Sequence, residues 1–301
     1  MNTLEQVREG EVPAELAGVY RDIRHCLRTT YVPLPFRVLA AHRGALRGIW
    51  EQLRPNVMTR AFEEYAGDLR ASLARAAFDL GTRLIEPVFA SEGIEADDLE
   101  AAREQIDLFH YTDPKVLLCL AALHAMESGG VSGRTLPAGM LAHVPEADPE
   151  MPSFVLPPEE PGGITGEVLH NVTRGLGLPV AEIELRTLGH WPEMLEIAWE
   201  QLAPILQHRA LPEALTQVRQ EAAQFAELFP FALNPARGLM AKTPETGAVV
   251  ARVIETLAEP SLRLALFVSA LKVAIDGPED ALGSQFQVEW DEPPIDQVEL
   301  S

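Results

Sequence analysis

A stretch near the N-terminus, Tyr31 to Pro55, returns about 149 residues later as Val180 to Pro204. At this offset Arg37 meets Arg186, Leu39 meets Leu188 and Leu46 meets Leu195. The block Trp50-Glu51-Gln52-Leu53 with Pro55 meets Trp199-Glu200-Gln201-Leu202 with Pro204. Further along each copy, Val116 to Leu123 resembles Leu264 to Leu271 at an offset of about 148. A duplicated unit that cannot bury its apolar face alone packs against its partner. The chain therefore reads as tandem-duplicated repeats forming a pseudo-dimer: an N-terminal repeat over 1–128, a Pro/Gly-rich linker over 129–163, a C-terminal repeat over 164–280 and an acidic tail over 281–301. A cleft between the halves is the first place to look for a site.

Both repeats are expected to be helical. Leu16, Val19, Tyr20, Ile23 and Leu27 fall at helical spacing after Pro13, a residue tolerated in a first turn. Phe36, Leu39, Leu46, Ile49, Trp50 and Leu53 make a second stripe, and Val57 to Leu80 is rich in Ala, Leu, Arg and Glu, which lose little entropy in a helix. Asp97 to Phe109 reads as one helix and Lys115 to Met126, opened by Asp113-Pro114, as another. The second half repeats the grammar over Ile164–Leu176, Ile183–Leu206, Pro212–Phe229, Glu245–Ala258 and Pro260–Ile275. Gly129 to Gly163 is too dense in Pro and Gly for long elements and is expected to run over the surface. Only Phe286 to Asp291 is a strand candidate, so the fold class is all-α.

Composition narrows the function. With 24 basic against 45 acidic residues the formal charge is −21, which repels phosphate backbones and anionic membrane surfaces, so no nucleic acid and no membrane partner are expected. No apolar run approaches the roughly 18 residues of a membrane span, and the first residues carry no signal-peptide core. Cys26 and Cys119 are far apart, which gives neither a disulfide framework nor a CxxC redox pair and suits a reducing cytoplasm. His110, Asp113 and His124 lack the spacing of a metal motif, so neither metal nor cofactor is expected.

Several residues admit both a chemical and a structural reading. Glu182 and Glu184 stand near a helix start, where acids complement the helix dipole, and Glu184 can also serve as a general base. In the other copy the position of Glu184 is Pro35, so this acid exists in one half alone. Asp113 before Pro114 suits a helix N-cap or a pocket wall. Arg37 and Arg186 can clamp a carboxylate from both halves or tie their own helices. His190 is a possible proton carrier or a packing residue, and Trp50 and Trp199 end apolar stripes as core anchors.

Three segments carry a resemblance. Val19-Tyr20-Arg21-Asp22-Ile23-Arg24 with Phe36-Arg37-Val38-Leu39-Ala40, then Tyr111-Thr112-Asp113-Pro114-Lys115-Val116-Leu117-Leu118, then Leu188-Gly189-His190-Trp191-Pro192 with Leu202-Ala203-Pro204, are similar in order and spacing to the group I 2-haloacid dehalogenases, the DehI family. The resemblance implies an all-helical subunit of two repeats with a site at their interface, and a homodimer. It implies hydrolysis of 2-haloalkanoic acids without cofactor, by an acid-activated water that attacks the chiral carbon and inverts it. The family's catalytic aspartate falls on Glu184, the asparagine before its Pro-Lys on Asp113, its pocket aromatics on Tyr31 and Leu34, and the serine before its acid on Ile183. Because all of these positions are changed, two readings stand: a hydrolytic dehalogenase of small 2-halocarboxylic acids, or a non-catalytic or altered-substrate relative that binds a small ligand between the repeats.

Overall fold

A computed structural model describes residues 4–42, 44–143, 161–235, 246–288 and 290. These residues form helices joined by turns, with two isolated backbone bridges, Thr59 to His143 and Val131 to Leu233, in place of any sheet. The first half holds α1 (Ala14–Leu27), α2 (Leu34–Ala40), α3 (Ala45–Val57), α4 (Arg60–Asp79), α5 (Glu86–Ser91) and α6 (Ala96–Ser128). The second holds α7 (Gly163–Leu176), α8 (Ile183–Leu188), α9 (Pro192–Leu202), α10 (Leu211–Glu227) and α11 (Thr246–Asp276). The order α1, α2, α3, α4, α6 is matched in length and spacing by α7, α8, α9, α10, α11, and α1 and α7 sit at the offset of the sequence echo. The last long helices, α6 and α11, pack most extensively against each other and form the centre of the molecule.

Three boundaries differ from the sequence expectation, each for a physical reason. Pro114 does not open a new helix: α6 runs through it, as α11 runs through Pro260. An interior proline removes one ladder hydrogen bond and costs about 3 kcal/mol. Nearly every residue from Leu108 to Leu120 is buried, so tertiary packing outweighs that loss. The stretch 183–206 is not one helix either, because Gly189 and Pro192 separate α8 from α9, and a 3-10 turn, Ala203–Gln207, follows. The tail candidate forms no strand in its described part; Phe286 instead packs on Tyr111 at 5.5 Å. The linker expectation falls partly outside the described residues, at 144–160. Its first part pairs closely with the second half: Val131 exchanges two 2.9 Å backbone hydrogen bonds with Leu233. Gly130, at φ +82°, lies where a β-carbon would come within 2.2 Å of the Leu233 carbonyl.

The paired tryptophans anchor corresponding helices differently. Trp50 is buried, meets Phe36 edge-on at 5.6 Å and donates from Nε1 to Asp22 at 2.7 Å, which also accepts from Arg54 Nε. Trp199 meets Phe267 edge-on at 5.7 Å and lies over Gly175, where a β-carbon would stand 2.2 Å from the indole. The close approach of α7 to α9 therefore depends on Gly175 having no side chain. Gly175→Val should overpack this contact and destabilise the protein by about 1–3 kcal/mol, read as a lower urea midpoint; an unchanged midpoint would show that the indole swings aside freely.

Candidate functional site

Helices α2 and α8 start at corresponding places in the two halves, and their starts meet. The extended turn before α2 ends at its cap Pro33, and the turn before α8 ends at its cap Glu182. Across this junction the Tyr31 hydroxyl donates to Glu184 Oε1 at 3.0 Å, a buried hydrogen bond between residues of different halves. Tyr31 is fixed from its other side by an edge-on contact with Phe109 of α6 at 5.9 Å. One helical turn after Phe109, the same helix carries Asp113.

The resulting cluster is dense in acid. Glu184 is 3% exposed, Glu182 5%, Asp113 6% and Arg37 7%. Among the described residues Glu184 Oε2, Glu182 Oε1, Asp113 Oδ2 and Arg37 Nε have no hydrogen-bond partner. Unpartnered buried polar atoms are rare in folded proteins and call for a reason; a group of them that converges is what a site for a small polar molecule requires.

Burial sets the protonation pattern. It pushes the Glu184 carboxyl above the ordinary range, against which its own backbone amide, the Tyr31 hydroxyl and the Arg37 charge all favour the anion. Glu182 is pushed up to about 8 by burial and then by the Glu184 charge, with Arg37 opposing. Asp113 is raised well above the ordinary range by burial and then by Glu184 and Glu182. The Tyr31 phenol is raised too, by burial first and the neighbouring acids next, so it remains a donor at neutral pH. Like charges about 6 Å apart at an effective dielectric near 20 repel by roughly 3 kcal/mol. Of the three acids Glu184 alone has three groups favouring its ionised form, so it is the one most inclined to ionise.

The site residues expected from the sequence are partly assembled. Tyr31, Arg37, Asp113 and Glu184 come together. Leu34 and Ile183 are buried as the first residues of α2 and α8, and the Ile183 carbonyl accepts from Thr187 Oγ1 at 2.7 Å. Arg186 stands partly exposed on α8; the charge that acts on both glutamates is that of Arg37. His190 is exposed, beside Trp191, which donates to Asp98 at 3.1 Å, so it does not enter the cluster. His110 is committed to the Ala281 carbonyl at 2.8 Å and to Ser269 at 3.2 Å, and burial pushes it down to about 3, which leaves it neutral. Among the described residues no three His, Cys, Asp or Glu side chains are grouped to hold a metal ion.

Two features were not found from the sequence. Glu182 faces inward beside Glu184, and the signal for it was the repeat itself: Pro33, its counterpart, caps α2 without a carboxyl. A second buried polar network lies around Tyr111. Lys115 Nζ binds Glu63 and the Leu27 carbonyl (3.0 Å) and stands 3.9 Å from the Tyr111 ring centroid. Arg28 donates to the Tyr111 hydroxyl at 3.0 Å, and Arg70 lies 5.4 Å from the same ring. Glu63 thus neutralises Lys115 on this network, and Arg37 is the cation that acts on Glu182 and Glu184 near Tyr31.

Comparisons with known proteins find relatives in sequence and in fold. Residues 30–153 match a family model described as halocarboxylic acid dehydrogenase DehI. A configuration-inverting 2-haloacid dehalogenase of Alcaligenes xylosoxydans xylosoxydans is 29% identical over 212 residues, 66% of this chain and 69% of the relative. Another, of Pseudomonas sp. (strain 113), is 25% identical over 294 residues, 94% of each chain. The relatives are named as dehalogenases, unlike the family description. A solved D-2-haloacid dehalogenase in complex with L-LA shares the fold at a TM-score of 0.84 and 21% identity, covering 90% of this chain and 96% of that one.

A raised folded-state pKa means that Glu182 favours folding fully below its unfolded value, and that this contribution is lost as pH rises towards about 8. Glu182→Gln should therefore match the wild type near pH 4 and melt at a higher temperature near pH 8. Thermal scans at the two pH values check this; a variant less stable at both would show that the Glu182 anion is a structural partner.

Proposed function

From its place in the DehI family of 2-haloacid dehalogenases, we propose that this chain hydrolyses small 2-halocarboxylic acids with inversion at the halogen-bearing carbon. The observation that supports this most is the buried Tyr31–Glu184 hydrogen bond between the halves, at the position where the family's catalytic acid falls. In this reading the Glu184 anion takes a proton from water as the water oxygen attacks carbon and the carbon–halogen bond breaks. The products are the 2-hydroxy acid, halide and a proton. No covalent enzyme intermediate forms, because the attacking oxygen belongs to water.

Each neighbour has a task in this scheme. Tyr31 spends its proton on Oε1 and leaves Oε2, the oxygen without a partner, to face water. Arg37 supplies the positive charge for the substrate carboxylate, with Nε uncommitted and the site shielded from solvent, where a charge-assisted hydrogen bond is strong. Leu34 and Ile183 form apolar walls that exclude bulk water. Glutamate places its carboxylate one methylene further out than aspartate would, and displacement of about 1 Å can cost on the order of 10²-fold in rate. The natural substrate is accordingly one whose reactive carbon sits further from the start of α8 than in a simple 2-halopropionate.

The division into repeats over 1–128 and 164–280 fits this scheme, since each half contributes groups the other lacks. Assembly as a homodimer in a reducing cytoplasm completes the reading; it rests on the family and on two buried, unpaired cysteines, Cys26 and Cys119. Among the described residues no helix is long and apolar enough to cross a membrane.

The test is halide release from a panel of D- and L-2-haloacids of increasing chain length. The wild type should release halide and yield hydroxy acid of inverted configuration, and Glu184→Gln should lose at least about 10²-fold. Halide release undiminished in that variant, or none from any member of the panel, would contradict the proposal; the latter outcome favours a non-catalytic ligand-binding relative.

A further inference from the structure

Asp113 presents a difficulty for any site that takes an anion. It is buried on α6 with Oδ2 unpartnered, and the groups around it can be named element by element. From α8 and its cap come Glu184 and Glu182, both acids. From the turn before α2 comes Tyr31, whose hydroxyl hydrogen goes to Glu184. From α2 comes Arg37, whose charge acts on Glu182 and Glu184. On α6 itself Lys115 is held by Glu63 and the Leu27 carbonyl, and His110 by Ala281 and Ser269. From α4, Arg70 lies against Tyr111, and from α11, Lys272 is held by Asp107 and Asp276. Among the described residues, then, the charges that act on Asp113 are those of acids, while Lys115, Arg70 and Lys272 are engaged elsewhere and Arg37 acts on the two glutamates.

We infer that Asp113 stands in the site as an uncharged carboxylic acid and donates its proton in a hydrogen bond to the carboxylate of the bound substrate, leaving Glu184 as the anion that activates water. The inference rests on the proposed haloacid reaction. A buried carboxylate without a counter-charge or several donors is unstable and keeps its proton instead. Burial and the two glutamates both act in that direction here. In the neutral form the group offers one O–H donor and one carbonyl acceptor. A bond from that O–H to a carboxylate is charge-assisted and short. The acid that would otherwise repel the substrate becomes, with Arg37, one of the two groups that orient it. The same wall selects against neutral halogenated compounds, which lack the anion that both groups require.

Infrared difference spectroscopy on the full-length protein carrying 13C-labelled aspartate reads the proton directly. At pH 7 the wild type should show the carbonyl stretch of a protonated acid, absent in Asp113→Asn and shifted when propionate is added as an unreactive probe. Asp113→Asn keeps a donor and should bind propionate near the wild-type level. Asp113→Leu should raise KM for 2-haloacids by about tenfold to hundredfold, with circular dichroism confirming that both variants fold. An ionised Asp113 at pH 7 overturns the inference whatever the activity. So does a protonated band that propionate leaves unmoved. A protonated band that propionate shifts, in a protein that releases no halide, supports the inference and overturns the reaction on which it was built.

Discussion

The hydrogen bond from Tyr31 to Glu184 is the point on which the rest of the molecule turns. It joins the two halves at their cores, and it needs both short helices to begin where they do. Residue 31 belongs to the tight proline turn before α2, and Glu184 to the first turn of α8. Neither helix is long enough to be stable alone, so both take their position from α6 and α11 packed behind them. A buried acid held this way costs desolvation, which the phenol, the backbone amide and Arg37 offset in part. That balance leaves Glu184 more basic than an ordinary carboxylate, as a group proposed to take a proton from water should be.

Helix α6 separates two kinds of buried polar chemistry. Around Tyr111, cations outnumber the acid: Arg28, Arg70 and Lys115 surround Glu63. Near Tyr31 the imbalance is reversed, with three acids and Arg37. Lys115 and Asp113 are two residues apart, so their side chains leave the helix in different directions and do not neutralise each other. The interior proline between them removes a ladder hydrogen bond at this place, and the burial of the whole segment compensates. In both halves the long last helix carries such a proline, two positions apart in the repeat register.

Much of this was legible in the chain. Periodicity placed the helices, because an amphipathic stripe survives any rearrangement of the loops, and the echo between Tyr31–Pro55 and Val180–Pro204 aligned α2 and α3 with α8 and α9. The contrast of Pro35 with Glu184 pointed to the acid. Helix boundaries at Pro114 and Pro260 were not legible, since local propensity ends a helix at proline and only tertiary burial continues it. Glu182 was hidden by its dual character: an acid at a helix cap has an ordinary reason to be there, and its inward direction depends on the turn Leu178 to Ala181. The choice between Arg37 and Arg186 was likewise closed to the sequence. The two are equivalent by repeat, and only the asymmetric placement of the acids makes Arg37 the one whose charge acts on both Glu182 and Glu184.

In the proposed reaction water, activated by Glu184, and never a protein carboxylate, supplies the oxygen of the product. A single turnover in 18O-labelled water, with enzyme in excess over a 2-haloacid, tests it most directly by mass spectrometry of product and protein together. Label should enter the hydroxy acid and not the peptide containing Glu184. Unlabelled hydroxy acid, with label entering that peptide on later turnovers, would mean that a carboxylate attacks carbon, and would contradict it.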